Sequence, residues 1–306
     1  MQIMIKLVFG CGYLGRRVAA RWIEQGCEVV AVTRSPGRAE AFVSAGIRPI
    51  IGDILDSALW GDLPVAETVL FAVGYERASE RSIREVYVDG LCNVLATLPR
   101  GTGRLIYVSS TGVYGQADGS WVDEDSPCQP SREGGAACLE AERRLQDSAW
   151  ERQSVILRMS GIYGPGRIPR RRELEAGKPL AAPQAGYLNL VHVDDAARAV
   201  LAAERDRGGP LVSCVSDGNP VLRGDYYRYL AQLLGAPEPQ FVAAPVDSPA
   251  RLRAGSSKQV RSSRFRNRLG FRFEYPSYRE GLAAIVAAEK LTDGPSPRIG
   301  GELGRA

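Results

Sequence analysis

The stretch from Ile3 to Gly26 constrains this chain more than any other. The apolar run Ile3 to Phe9 stops at Gly10-Cys11-Gly12, and Leu14, Val18 and Trp22 then recur at helical spacing. That order is strand, glycine turn, helix. A second apolar run, Glu28 to Thr33, comes directly after it. Gly10 permits the tight turn, Gly12 lets the backbone approach a pyrophosphate, and Gly15 lets helix and strand pack closely, with phosphates resting on the helix N-terminus. Tyr13 and Leu14 complete the candidate loop. A lone G-x-G-x-x-G is a weak pattern, but between a strand and a helix it reads as a dinucleotide-binding loop.

Further buried-strand candidates are Arg48 to Ile51, Thr68 to Val73, Arg104 to Ser109, Ser154 to Met159 and Leu211 to Val215. Helix-compatible segments lie between most of them, notably Ser79 to Leu98 and Ala136 to Trp150. Apolar strands alternating with helices predict a doubly wound α/β fold, a parallel sheet covered on both faces, because right-handed crossovers place the helices there. After Gly164-Pro165-Gly166 the chain becomes arginine-rich, then rich in Gly and Pro to Gly186. Helices are expected near Asp194 and over Leu222 to Leu234. The expected organisation is a dinucleotide-binding domain over residues 1–166 to which 187–217 return, a smaller C-terminal substrate lobe over 167–186 and 218–291, and a flexible tail over 292–306.

Composition narrows the chemistry. Of 39 Lys and Arg in 306 residues only four are lysine (Lys6, Lys178, Lys258, Lys290), and His192 is the only histidine. No HExxH site, multi-histidine metal site or histidine triad avoiding His192 is available, so no metal is expected. His192 itself, beside Val193-Asp194-Asp195, reads as a structural hydrogen-bonder next to a helix start, with Asp194 the expected N-cap. Six scattered cysteines without a CxxC pair suggest reduced thiols and a cytoplasmic protein. The opening apolar stretch is too short for a membrane span, so no membrane association is expected. A net charge of +4 is too mild to imply nucleic acid, and no reader motif accompanies the basic segment Arg251 to Arg268. That segment, with Arg167, Arg170, Arg171 and Arg172, suits an anionic small molecule held by guanidinium forks.

The second strand ends in Thr33-Arg34-Ser35, with Arg38 close behind, where NAD binders usually place an acidic residue. Arginine and small hydroxyls suit a 2′-phosphate, so NADP(H) is the preferred cofactor expected, NAD(H) being the alternative.

On these residues, the chain resembles the NAD-dependent epimerase/dehydratase branch, extended and atypical members, of the short-chain dehydrogenase/reductase superfamily. The resemblance rests on the glycine loop, Gly52-Asp53-Ile54, Val88-Asp89-Gly90 with Asn93, Tyr107-Val-Ser-Ser-Thr-Gly-Val-Tyr-Gly115, Leu157-Arg-Met-Ser-Gly-Ile-Tyr-Gly-Pro-Gly166, Asn189-Leu-Val-His-Val-Asp-Asp195 and Tyr275-Pro-Ser-Tyr-Arg-Glu-Gly281. It implies that Asp53 and Ile54 lie by the adenine, Ala72, Val73 and Gly74 along the ribose, and Ser110 at the catalytic Ser/Thr position. It also implies that residues after Tyr163 border the nicotinamide pocket, and that the substrate is a small molecule, phosphorylated or a nucleotide sugar. A monomer or homodimer is expected.

The chain departs from the family where proton transfer is concerned. Relatives carry a Tyr and a Lys four apart on the helix after the serine, where the ammonium lowers the phenol pKa. Here no tyrosine is followed four residues later by lysine. Aligned on Glu142, the family's Tyr and Lys positions hold Gly134 and Cys138, and Phe9 stands where the family typically has glycine. Tyr163 is the candidate replacement acid beside Ser110, with Tyr114 second. The resulting expectation is an NADP(H)-preferring oxidoreductase; the competing one is a catalytically silent NADP(H)-binding redox sensor or partner-binding protein.

Overall fold

Seven apolar runs form one sheet: β1 (Ile5–Phe9), β2 (Glu28–Thr33), β3 (Ile47–Ile51), β4 (Thr68–Phe71), β5 (Arg104–Ser110), β6 (Ser154–Met159) and β7 (Leu211–Val215). The computed structural model describes residues 3–56, 63–76, 78–206, 208–245 and 255–292; the expected tail beyond 292 lies outside them, as do residues 251–254 of the basic segment. The strand order is β3-β2-β1-β4-β5-β6-β7, and every neighbouring pair is parallel. This is a Rossmann-like doubly wound sheet. β2, β6 and β7 have the bounds read from the sequence, and the other strands differ by one or two residues at an end.

The described helices are α1 (Gly15–Glu24), α2 (Pro36–Ser44), α3 (Gly90–Thr97), α4 (Glu133–Gln146), α5 (Arg171–Glu175), α6 (Val193–Arg205), α7 (Arg223–Leu234), α8 (Ser263–Leu269) and α9 (Tyr278–Thr292), and four two-stranded pairs of short strands lie outside the large sheet. The period-2 alternation of a strand sends Val8, Ala31, Leu70, Ile106 and Leu157 to one face, where Val18 and Trp22 of α1 and Ala196 and Val200 of α6 cover them. Leu7, Phe9, Val69, Phe71 and Tyr107 face the other way, onto α3 and α4. A third cluster, centred on Tyr163, Leu174, Tyr226, Leu230 and Leu282, gathers residues of the second half of the chain.

The sequence-expected helix over Ser79 to Leu98 is shorter than predicted. A π turn, Glu85–Asp89, precedes α3. At Gly90, where they meet, a Cβ would lie 2.6 Å from Ile54 Cδ1, so a larger residue would push the Ile54 side chain aside. The N-cap of α6 is also corrected. His192 occupies it, its Nδ1 accepting from the Asp194 N–H at 3.3 Å, while Asp194 sits in the first turn and pairs with Arg17 at 3.2 Å. The Asp195 carboxylate is fully buried and accepts from the Glu274 and Tyr275 N–H groups at 2.9 and 2.8 Å.

One ion pair sits inside the sheet–helix interface. Glu142 of α4 is 1% and Arg158 of β6 is 8% exposed, with Nη2 to Oε2 at 2.7 Å. Ser109 donates to Glu142 at 2.5 Å, and Arg158 donates to the Tyr114 hydroxyl at 2.8 Å. Removing one member leaves the other charged and dry, so Glu142→Ala is expected to lower unfolding stability by about 3–5 kcal/mol, with Glu142→Gln lowering it less; urea denaturation reads both. Asp217 offers a second test. Burial pushes its carboxyl up to about 8, and its Oδ2 has no hydrogen-bond partner. The folded-state pKa is raised above the unfolded value, so the group's contribution is complete below about pH 4 and is lost as pH rises towards about 8. Asp217→Asn is therefore expected to gain melting temperature over the parent chain at pH 8 relative to pH 5, as read by thermal scans.

Candidate active site

A cleft of about 1240 Å³ opens at the carboxyl ends of the strands, beside the point between β1 and β4 where the strand order reverses. That is the place where doubly wound sheets bind ligands, and the volume exceeds the roughly 300–1,000 Å³ of ordinary small-molecule pockets. Gly10, Gly12, Tyr13, Leu14, Arg34, Asp53, Ile54, Ala72, Val73, Gly74 and Ser110 all line it. Gly15, Ser35 and Tyr163 do not figure in that lining.

The glycine loop is built by close approach. Gly10 has φ +89°, and a Cβ there would lie 2.4 Å from the Ala72 carbonyl carbon; one at Gly15 would lie 2.5 Å from the Gly10 oxygen. Gly15 thus acts on packing from behind the loop. Around a Cβ at Gly12, by contrast, nothing stands within 4 Å. The α1 N-terminus has no side-chain cap and no acidic residue in its first turn; the Arg16 and Arg17 N–H groups donate to the Gly12 and Leu14 carbonyls at 3.0 Å, so the donors left to a ligand are those of the loop up to Gly15. Tyr13 ties the loop to the segment after β6: its hydroxyl donates to the Pro165 carbonyl at 3.1 Å, and Arg17 and Arg167 stack over its ring at 4.4 and 5.3 Å.

At the end of β2, Arg34 is half exposed and lies 3.9 Å from Asp53 and 3.6 Å from Glu76. Arg38 reaches the same Glu76 at 3.3 Å. Ser35 caps α2, its Oγ accepting from the Arg38 N–H at 3.3 Å. Asp53 accepts from the Leu55 N–H at 3.0 Å, and the Ile54 carbonyl accepts from the Asn93 side chain at 3.0 Å. These bonds fix the loop after β3 against α3.

Deeper in the cleft, Ser110 ends β5, and its Oγ accepts from the Gly112 N–H at 3.0 Å. That bond occupies the oxygen and leaves the hydroxyl hydrogen to donate elsewhere. Neither candidate phenol joins Ser110 from solvent-accessible space. Tyr163 is fully buried in the third cluster, its hydroxyl 3.4 Å from the Ser277 carbonyl and its pKa raised chiefly by burial. The aromatic side chain is drawn into that core because Gly281 leaves room for it: a Cβ there would lie 1.9 Å from the Tyr163 hydroxyl. Tyr114 is committed to Arg158 and Cys214. His192 is edge-on to Tyr163 and 3.9 Å from the Tyr275 ring, with burial holding its pKa below the ordinary value, a structural neutral imidazole.

Cys138 lines the cleft as a buried thiol, pushed up to about 11 by burial. Lys258, which stands in the basic segment Arg251 to Arg268, lines it too: 6% exposed, it donates to the Tyr114 carbonyl at 2.8 Å. Sequence reasoning offered that segment for an anion without singling out this lysine. Among the described residues no group of three or more His, Cys, Asp or Glu is placed to hold a metal ion, and no helix is long and apolar enough to cross a membrane.

The chain is similar to several known proteins. It is 29% identical to protein YeeZ of Escherichia coli (strain K12) over 276 residues, 88% of this chain and 95% of that protein. It is 30% identical to a 3-diazoavenalumate denitrifying reductase from a Streptomyces species over 178 residues, 53% of this chain and 58% of that one. The Bordetella bronchiseptica enzyme WbmG, solved in complex with NAD and UDP, shares its fold at TM-score 0.78 and 20% identity, covering 95% of this chain and 96% of that one. The glycine loop at the switch point, the Asp53-Ile54 loop and Ser110 at the end of β5 all fall within residues 7–211, which match the NAD dependent epimerase/dehydratase family, and the chain belongs to that family.

Proposed function

We propose that this chain is an NADP(H)-preferring oxidoreductase acting on a small anionic substrate held beside Ser110. The observation that carries the reading is one continuous cleft running from the Gly10–Gly15 loop and Arg34, past Ser110, to Arg167 and Lys258 of the second half of the chain. The loop fits a dinucleotide: the open space over Gly12 and the uncapped α1 N-terminus leave room and donors for a diphosphate. When bound, the nicotinamide supplies or accepts the hydride.

This chain's own residues do the rest. Backbone N–H groups of the loop and α1 hold the diphosphate, Asp53 and Ile54 border the adenine, and Ala72, Val73 and Gly74 run along the ribose. Arg34 and Arg38 receive the 2′-phosphate, which takes the place of Glu76 between them. Ser110 donates its free hydroxyl hydrogen to the substrate oxygen and polarises it. With Tyr163 in the lobe core, water or the substrate itself supplies the proton. The anionic substrate reading is supported by the arginines of the lobe, and a nucleotide sugar fits the same chemistry, since WbmG was solved with NAD and UDP. Small size and reduced, scattered cysteines fit a cytoplasmic enzyme working as a monomer or homodimer. The competing reading, a silent cofactor-binding sensor, draws on Gly134 and Cys138 standing at the family's Tyr and Lys positions.

NADPH is expected to bind more tightly than NADH, and Arg34→Ala to weaken NADPH by about tenfold or more with little effect on NADH; fluorescence titration reads the two constants, and equal affinities unchanged by the substitution would remove the phosphate assignment. Against a panel of nucleotide sugars, keto acids and aldehydes, NADPH oxidation is expected with at least one class. Ser110→Ala then lowers kcat on the order of 10²-fold, while Tyr163→Phe leaves kcat unchanged. Tight cofactor binding without turnover across the panel favours the sensor.

A further inference from the structure

Lys258 is a cation that the fold has buried, with no counter-charge beside it among the described residues. Its ammonium donates to the Tyr114 carbonyl at 2.8 Å and to Ser256 Oγ at 3.0 Å, both neutral acceptors. Among the described residues no carboxylate lies within 4.0 Å of it. Two other buried cations differ: Arg158 has Glu142, and Lys6 has Glu67 and Glu204. Burying an ammonium unpaired is expensive, and such groups are retained where a ligand or a proton-transfer role compensates them.

The position is also built with unusual care. The Asn189 side chain clamps the backbone directly after Lys258, its amide donating to the Lys258 carbonyl at 2.8 Å and its oxygen accepting from the Val260 N–H at 2.7 Å. The flanking segment is laid along the loop after Ser110: the Gly119 N–H donates to the Ser257 carbonyl at 2.9 Å, and Gln259 and Val260 pair in parallel with Trp121 and Val122. Arg223 holds the Ser256 carbonyl at 2.6 Å from the side of α7. Three elements therefore fix one lysine at the wall of the cleft, where Arg132, the residue preceding α4, also lines it.

We propose that Lys258 and Arg132 form an oxyanion-binding subsite at the substrate end of the cleft, which takes the carboxylate or phosphate of the second ligand. The proposal rests on the reading of this cleft as a cofactor site with a substrate beside Ser110, and names the group by which that substrate is held. It also puts an ammonium back into a site whose family position holds Cys138, delivered from the opposite lobe. Burial first, and then the guanidiniums of Arg132 and Arg223, which face it from the start of α4 and from α7, lower the Lys258 pKa to about 8. An arriving oxyanion opposes all three effects, so it binds the protonated form and raises the pKa.

The four-lysine composition makes the test direct. The full chain carrying ¹³C-labelled lysine, saturated with NADPH, is titrated with pH by NMR; Lys258→Arg identifies the Lys258 signal by its loss. That signal is expected to titrate near 8. Its midpoint is expected to move up by about one pH unit with saturating pyrophosphate or malonate, while the other three signals stay put. Arg132→Gln is expected to weaken that response about tenfold. Response to pyrophosphate alone assigns a phosphate, to malonate alone a carboxylate, and either supports the subsite. A Lys258 signal unmoved by both anions, in a sample that still binds NADPH, overturns the subsite and leaves the cofactor reading intact; failure of the unmodified chain to bind NADPH at all overturns that reading instead.

Discussion

Three stretches of backbone meet at van der Waals contact where β1, β4 and α1 converge, and the rest of the molecule is arranged around that contact. Gly10 touches Ala72, and Gly15 touches Gly10. A single methyl group at either glycine would overlap backbone atoms, which cannot rotate away as a side chain can. The contact sets how far β1 and β4 diverge at their carboxyl ends, and so the width of the crevice between them. It also points the α1 N-terminus across the crevice, and places Val73 and Gly74 on one wall with Arg34 and Asp53 on the other.

A second constraint acts deeper. The pair Glu142–Arg158 binds α4 to β6 and, through Ser109 and Tyr114, to both sides of the turn that carries Ser110. α4 is therefore anchored as it would be in an enzyme that used its side chains for proton transfer, yet the surface it turns to the cleft carries a thiol. At Gly135 helix and turn draw together, for a Cβ there would lie 2.1 Å from the Gly112 oxygen, whereas at Gly134, aligned with the family's tyrosine, a Cβ would meet only the end of Ile83 at 3.3 Å.

Much of the framework could be read from residues. The strands were legible because a parallel sheet buries both faces, so each strand is a short apolar run that polar helix faces cannot imitate. The glycine loop was legible because its geometry admits almost nothing else. The placement of Tyr163 was not: a Tyr-Gly-Pro-Gly segment gives no sign of which way the ring turns, and the room for it comes from Gly281, more than a hundred residues later. The role of His192 as cap in place of Asp194 likewise depends on a side-chain rotamer held by Tyr163 and Tyr275. Lys258 stood in a basic segment that the sequence offered for an anion, but its distance in sequence from Asn189 conceals the clamp that seats it at the cleft.

The anchoring of Tyr13 bears on the thermodynamics of diphosphate binding. Glycine-rich segments are conformationally free in an unfolded chain, and ordering one around a ligand ordinarily subtracts from affinity. Here the loop is held at Gly10 by the neighbouring strand, and at Tyr13 by the Pro165 carbonyl and by two stacked guanidiniums. Its conformational entropy is already lost when the chain folds, so a diphosphate meets a preorganised cradle and its binding free energy need not be diverted to shaping one.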